Sequence, residues 1–318
     1  MARQPSSPSF IRLWGGSRIA DERLLQYAGG MKRRRLWLII LILVAAGLVM
    51  FFLPEQTVVN GSVSGIQVRS QRWSGTIRIT GDVQIVPWKV LTIEPGTTIA
   101  FDKRPDIPDT KWTLHADEYI KSHDDPTGRS GYKKSHYSLV AKFTAIGTLD
   151  EPIVFTSSQS EPDYADWDEL IAFSESIFDR VEVAYAHNGI NANGKNVTVT
   201  NSRIHDSLWS CVDIFSWGAT VTNNDIYHCW HQAIGIKTDD QTKAKNVVTG
   251  NAIRDSNLSV NCEGTAMLTL EQNQFFSAPI AENCRELLGA VSSVNTVNER
   301  RADTPGGTYG GRLIYPAN

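Results

Sequence analysis

Four stretches decide the fold: NVTVTNSRIHDS from Asn196, ATVTNNDIYHC from Ala219, NVVTGNAIRDS from Asn246 and LTLEQNQFFSA from Leu268. They align without gaps on one apolar position, Ile204, Ile226, Ile253 and Phe275. The earlier VEVAYA adds Val183, so the intervals are 21, 22, 27 and 22 residues. Five positions earlier stand Val199, Val221, Val248 and Leu270. Between the two apolar positions comes a turn residue, Asn224, Asn251 or Asn273, with Ser202 in the first copy.

Strands this short, rich in Val and Ile and broken by Asn or Gly about every 22 residues, cannot each bury an apolar face alone, so they must stack. A chain that makes one coil per repeat lays equivalent residues over one another about 4.8 Å apart. Apolar columns then fill the inside, and asparagines at a bend form hydrogen-bonded ladders. The pattern predicts an all-β chain, a right-handed parallel β-helix. A leucine-rich solenoid would need several regularly placed leucines per turn, and these are absent.

Working outward, the repeat resembles the right-handed parallel β-helix proteins of the pectate-lyase-like superfamily over roughly residues 75–277. The opening turns LTIEPGTTIAF (91–101), TAIGTLDEPIVFTS (144–157) and WDELIAF (167–173) look like the first rungs of bacterial envelope and secreted β-helix proteins, many without known activity. Asp168 and Glu169 stand where that pattern has glycines.

The organisation expected is a basic tail at 1–35, an apolar span at 36–53, a linker at 54–74, the β-helix at 75–278 and a cap or tail at 279–318. A polar excursion at 102–137 holds His115, Asp117, Glu118, His123, Asp124, Asp125 and His136 without tight metal-ligand spacing, and reads as a loop. The span LWLIILILVAAGLVMFFL is eighteen residues, about 27 Å as a helix, enough to cross a bilayer once. Lys32, Arg33, Arg34 and Arg35 precede it, which keeps the amino end in the cytoplasm and sends the rest across. A cleaved signal peptide starting at Met31 instead of Met1 is the alternative. Residues 1–35 carry +6; the whole chain totals −3, so everything after the span carries −9. An acidic main domain argues against a nucleic-acid partner. The expectation is a single-pass membrane protein with its main domain in the periplasm or outside the cell.

Disulfides persist in such a compartment. Cys262 follows Ile253 by nine residues and Cys284 follows Phe275 by nine, so in register they stack near 5 Å and predict a bridge. Cys211 and Cys229 are offset differently, and a bridge and two free thiols stay equally open.

Register also aligns outward residues. Two beyond the shared position come Asp206, His228 and Asp255 on successive coils; one beyond come His205, Tyr227 and Arg254; further on come Trp209, Trp230 and His231. Stacked, the column puts a histidine between two carboxylates about 9 to 10 Å apart, with aromatic rings alongside. That gap suits inverting glycoside hydrolysis, with Asp206, His228 and Asp255 as catalytic candidates and His205, Trp209, Trp230, His231 and Arg254 as binding candidates. The competing reading is that Asp206 and Asp255 close bends. The paired aspartates in KTDDQTK (237–243) read as an exposed loop, because the Gly-His-Gly and Arg-x-Lys elements that accompany such pairs in polygalacturonases are missing. No cofactor is called for, although calcium would be needed to bridge a polyanionic substrate to so acidic a domain. The expected function is binding of cell-envelope glycan or service as an interaction scaffold. The alternative is a polysaccharide hydrolase, lyase or epimerase working through the Asp/His column.

Overall fold

The computed structural model describes residues 37–42, 56–103, 137–237, 244–263, 268–276, 278, 280–281, 283–284, 296–298, 307–309 and 312–314. Chain contacts divide it into two units, Met1–Pro54 and Glu55–Asn318. Of the apolar span, residues 37–42 are helical and the remainder lies outside the described residues, so among the described residues no helix is long and apolar enough to cross a membrane. The excursion at 104–136 and the 238–243 part of KTDDQTK are likewise outside.

The second unit is a parallel β-helix. Its strands fall on three faces, each a parallel ladder, and every coil visits them in the same order. The first face stacks 90–93, 142–146, 177–179, 198–200, 220–222, 246–249 and 268–271. The second stacks 98–101, 153–157, 181–184, 203–207, 225–229, 252–254, 274–276 and 296–298. The third stacks 139–141, 170–172, 188–192, 210–214, 232–236 and 260–262. Two long strands, Gln56–Gln67 and Ser70–Ile85, each wrap all three faces and form the first two coils. The solenoid therefore starts at Gln56, inside the stretch expected to be a linker. Its opening coils lack the Asn turn that marks the later repeats. They bend at Gly61, Gly65 and Gly75, all at positive φ, where a side chain would be strained.

The expected stripe exists. Val183 pairs with Ile204, Ile204 with Ile226, Ile226 with Ile253 and Ile253 with Phe275, and all five are fully buried. Val199, Val221, Val248 and Leu270 form the second column. Aromatic rings fill the early coils: Phe101 stacks on Trp167 at 4.1 Å, and the Trp167 indole N–H donates to the Ala184 carbonyl at 2.9 Å. Asp168 and Glu169, in place of glycines, are used structurally. Asp168 accepts from the Ser138 hydroxyl at 2.7 Å and Glu169 from the Asn191 amide at 2.9 Å.

Between first and second faces the chain turns through a left-handed residue, Arg180, Asn201, Asn223, Gly250 or Gln272. Beside it runs the amide ladder. Asn251 Nδ2 donates to Asn273 Oδ1 at 2.9 Å and to the Val221 carbonyl at 2.9 Å, while Asn251 Oδ1 accepts from the Asn224 backbone N–H at 3.0 Å. Asn224 Oδ1 in turn accepts from Ser202 N at 2.9 Å. Such buried amides are fully committed, and removing one orphans its neighbours.

Both cystines form: Cys262–Cys284 with Cα atoms 5.0 Å apart, and Cys211–Cys229 at 5.6 Å. The second joins neighbouring coils across a corner, which the simple column count leaves open.

Two outcomes are expected. Asn251→Ala should cost about 2–4 kcal/mol, since several buried groups lose partners at once, whereas Asn223→Ala, which only puts alanine at an exposed left-handed corner, should cost about 1 kcal/mol; urea denaturation followed by circular dichroism measures both. Peptide mapping without reductant should return the pairs 211–229 and 262–284, with no alkylated cysteine.

Candidate functional site

The corner between second and third faces is built by Tyr185, Asp206, His228 and Asp255, with φ of 65, 51, 52 and 49°. The left-handed conformation costs ordinary L-residues roughly 1–2 kcal/mol, least for Asn and Asp, whose short side chains bond locally. Asp206 and Asp255 thus meet a backbone demand, while Tyr185 and His228 hold the same conformation without that advantage.

Side chains on this corner are tightly connected. Asp206 takes His205 Nδ1 at 2.6 Å on one oxygen and His228 Nδ1 at 3.1 Å on the other. His205 Nε2 lies 3.5 Å from Glu182. Burial raises the Asp206 pKa, but hydrogen bonds from both histidines outweigh it and hold the carboxyl well below the usual carboxylate range. Burial lowers the His205 pKa, yet bonds to Asp206 and Glu182 more than reverse this, so the imidazole binds its proton more tightly than usual. The bond to His205 likewise pulls Glu182 down, against burial. The result is a line of groups in which the Asp206 carboxylate binds both imidazoles and Glu182 approaches the far side of His205. Asp255 joins only through the main chain, its carbonyl accepting from His228 N at 3.1 Å.

On the outer side of the second face the planar groups stack. His205 lies on Tyr227 at 4.7 Å and 2°, and the Arg254 guanidinium covers the other side of Tyr227 at 3.8 Å. Arg254 also binds Asp225 at 2.9 Å. Past the corner, Trp209 stacks on His231 at 3.8 Å. Trp230 is buried with Ala165 and Leu208 in a small cluster outside the main core, so it offers no open ring face. Of the expected residues, the fold thus joins Asp206, His228 and His205 directly, stacks Arg254 and Trp209 beside them, and turns Trp230 inward. Next to this face opens a depression of about 270 Å³, lined by Arg180, Glu182, Arg203 and Asp225 with Asn201 and Asn223 from the neighbouring corner.

One cluster escaped the column reading. Asp213, on the outward side of the third face, is only 1% exposed. It accepts from Lys237 Nζ at 3.2 Å and from Gln232 Nε2 at 3.1 Å, and Gln232 also receives the Asn261 amide at 2.8 Å. Burial raises the Asp213 pKa against the pull of Lys237. Gly235 is the next residue along this column. A Cβ there would sit 2.2 Å from the Asp213 carboxylate, so glycine makes the room. An acidic residue followed by a glycine one repeat later was the available signal. Among the described residues no three acidic, histidine or cysteine side chains are grouped to hold a metal ion.

The pH dependence of the corner follows from its two shifts. His205 binds its proton more tightly folded than unfolded, so its contribution is complete below about pH 6.5 and is lost as pH rises through the higher folded value. Asp206 contributes fully above about pH 3.8 and loses this as pH falls. Urea midpoints should therefore plateau between those limits. In His205→Gln both declines should flatten, because the imidazole is gone and the Asp206 and Glu182 carboxyls lose the bond that holds them low.

Residues 169–298 match a family model described as a right handed beta helix region, a span that contains the whole Asp206–His228–Asp255 corner. No curated protein and no solved structure matches the chain. The stacked parallel faces and that match together support a right-handed β-helix repeat.

Proposed function

We propose that the chain is a membrane-anchored, extracytoplasmic β-helix that binds cell-envelope glycan at the corner and second face without turning it over. The observation that carries this reading is the mutual saturation of the corner. Inverting hydrolysis needs one carboxylic acid with a raised pKa to protonate the leaving oxygen. Asp206 has the opposite perturbation and is committed to two histidines. Its surroundings are equally committed, with Tyr227 enclosed by His205 and Arg254. What the corner offers is a rigid set of ring edges and hydrogen-bonding groups, Trp209, Tyr227, His228 and Arg254, each half-exposed.

The neighbouring depression, carrying carboxylates, amides and guanidinium groups, suits hydroxyl groups that both donate and accept, and its size is at the small end of ligand sites, about that of one saccharide unit in a longer chain. Two cystines support an oxidising compartment, and the apolar span at 36–53 behind four basic residues supports anchorage with the amino end inside. The likeness of the opening rungs to the pectate-lyase-like superfamily agrees with a glycan partner. The acidic main domain favours a neutral or cationic glycan and disfavours nucleic acid. No cofactor is required.

One observation favours the enzyme reading. Asp213 has the raised pKa that a general acid needs, next to a lysine.

Full-length protein in nanodiscs, applied to a panel of envelope polysaccharides, separates the two. Binding without release of reducing ends is expected, and His228→Asn, which keeps the left-handed corner, should weaken it about tenfold, near 1.4 kcal/mol. Product release abolished by Asp213→Asn would make the protein an enzyme of the third face; release abolished by Asp206→Asn would restore the column as catalytic.

A further inference from the structure

The first coil is the terminal one among the described residues. Among the described residues, Gln56–Gln67 pairs on one side only, with Ser70–Ile85, and it bends at Gly61 and Gly65 into three short pieces. An edge broken this way is a poor template for adding another strand. Its side chains are the unusual feature. Ile66 is 69% exposed, Val68 56% and Trp88 76%. Gln67 is in register with Ile85, and Val86 N donates to the Gln67 carbonyl at 3.1 Å, so Ile66, Val68 and Trp88 gather at one corner of the first two coils. Arg69 and Lys89 follow two of them directly.

Charge separates this end from the rest. Residues 56–90 hold Arg69, Arg72, Arg78 and Lys89 against Asp82 alone, a net +3, while residues 91–318 carry −11. Arg72 is paired with Glu94 and Arg78 with Asp102 at 2.6 Å. Only two residues, Pro54 and Glu55, separate the apolar span from the first strand, a reach of at most about 11 Å from Leu53 to Gln56.

We infer that the Ile66–Val68–Trp88 corner docks on an anionic lipid surface, seating the first coil in the headgroup layer. Tryptophan beside aliphatic residues with flanking arginine and lysine is the composition that partitions to the boundary between headgroups and acyl chains. Basic groups this close to an anionic leaflet add electrostatic attraction to that partitioning. The inference rests on the anchored reading of residues 36–53 and adds an orientation to it: the first coil lies on the bilayer, and the Asp206 and Asp213 sites stand several rungs above it.

All four cysteines are in disulfides, so one added thiol can be labelled alone. Full-length Val68→Cys and, as a reference, Glu271→Cys on the ninth coil, about 38 Å further along, carry a nitroxide in nanodiscs containing phosphatidylglycerol. Power saturation compares collisions with oxygen, which enriches in lipid, and with a water-soluble nickel chelate. The expected result is an oxygen-to-nickel ratio at position 68 several-fold above that at 271, falling in Trp88→Ser and in discs of phosphatidylcholine alone. Equal, water-like ratios at both positions in an incorporated chain would overturn the docking and leave the anchor standing. Shielding of position 68 from both reagents would overturn it in favour of a second copy of the chain. A chain that does not incorporate into discs would overturn docking and anchor together.

Discussion

Everything in the second unit depends on one registration: equivalent residues of successive coils sit directly over one another. Because the pairing is parallel, each inward residue meets its own counterpart in the next coil, so Val183, Ile204, Ile226, Ile253 and Phe275 become one apolar column instead of five separate contacts. A slip of one residue would turn that column outward and bring charged neighbours such as Arg203 and Asp225 into the core. The Asn224–Asn251–Asn273 ladder guards against the slip, because its amides reach their acceptors only when the coils are aligned. Apolar burial thus drives stacking, and the buried amides select which stacking forms.

The same registration accounts for the chemistry at the corner. A coil that must leave one face for the next demands a left-handed residue at a fixed place in every repeat, and stacking then puts Tyr185, Asp206, His228 and Asp255 in one line. Aspartate suits that backbone, so two carboxylates arrive there for conformational reasons. Once there, Asp206 needs compensation for its partial burial, and His205 and His228 supply it. A histidine between carboxylates looks catalytic when read as a list of residue types. In this geometry the Asp206 carboxylate is hydrogen-bonded to both His205 and His228, and the groups with room for a partner are ring edges and guanidinium groups on the neighbouring face.

Much of this could be read in the residues. Apolar periodicity and the recurring Asn mark the inner columns and the ladder, and the nine-residue offset after each shared position anticipates the Cys262–Cys284 geometry. Three features could not be read that way. The opening coils lack the Asn signature and turn on glycines, so Gln56–Gln67 looks like a linker. Cys211 and Cys229 meet across a corner, where the count of residues along the chain no longer tracks distance. Trp230 lies in the right column but turns toward Ala165 and Leu208, because a side chain at a corner can point either way and local packing decides.

Asp213 owes its environment to residues that repeat register does not align with it. Counting positions reveals which residues line up, and Asp213 lines up with Gly235 and Asn191, neither of them acidic or basic. Its environment is made instead by residues from other columns: Lys237 two positions beyond Gly235, and Gln232 from the start of the same strand. Perturbation of a buried carboxyl depends on how many polar neighbours reach it and how much water they displace, which is a property of three-dimensional packing. A solenoid makes the first kind of information unusually plain in sequence and leaves the second hidden. Here the residues most conspicuous in the alignment bind one another, and Asp213, a carboxyl whose pKa burial raises, sits in a column marked in sequence only by the glycine that follows it one repeat later.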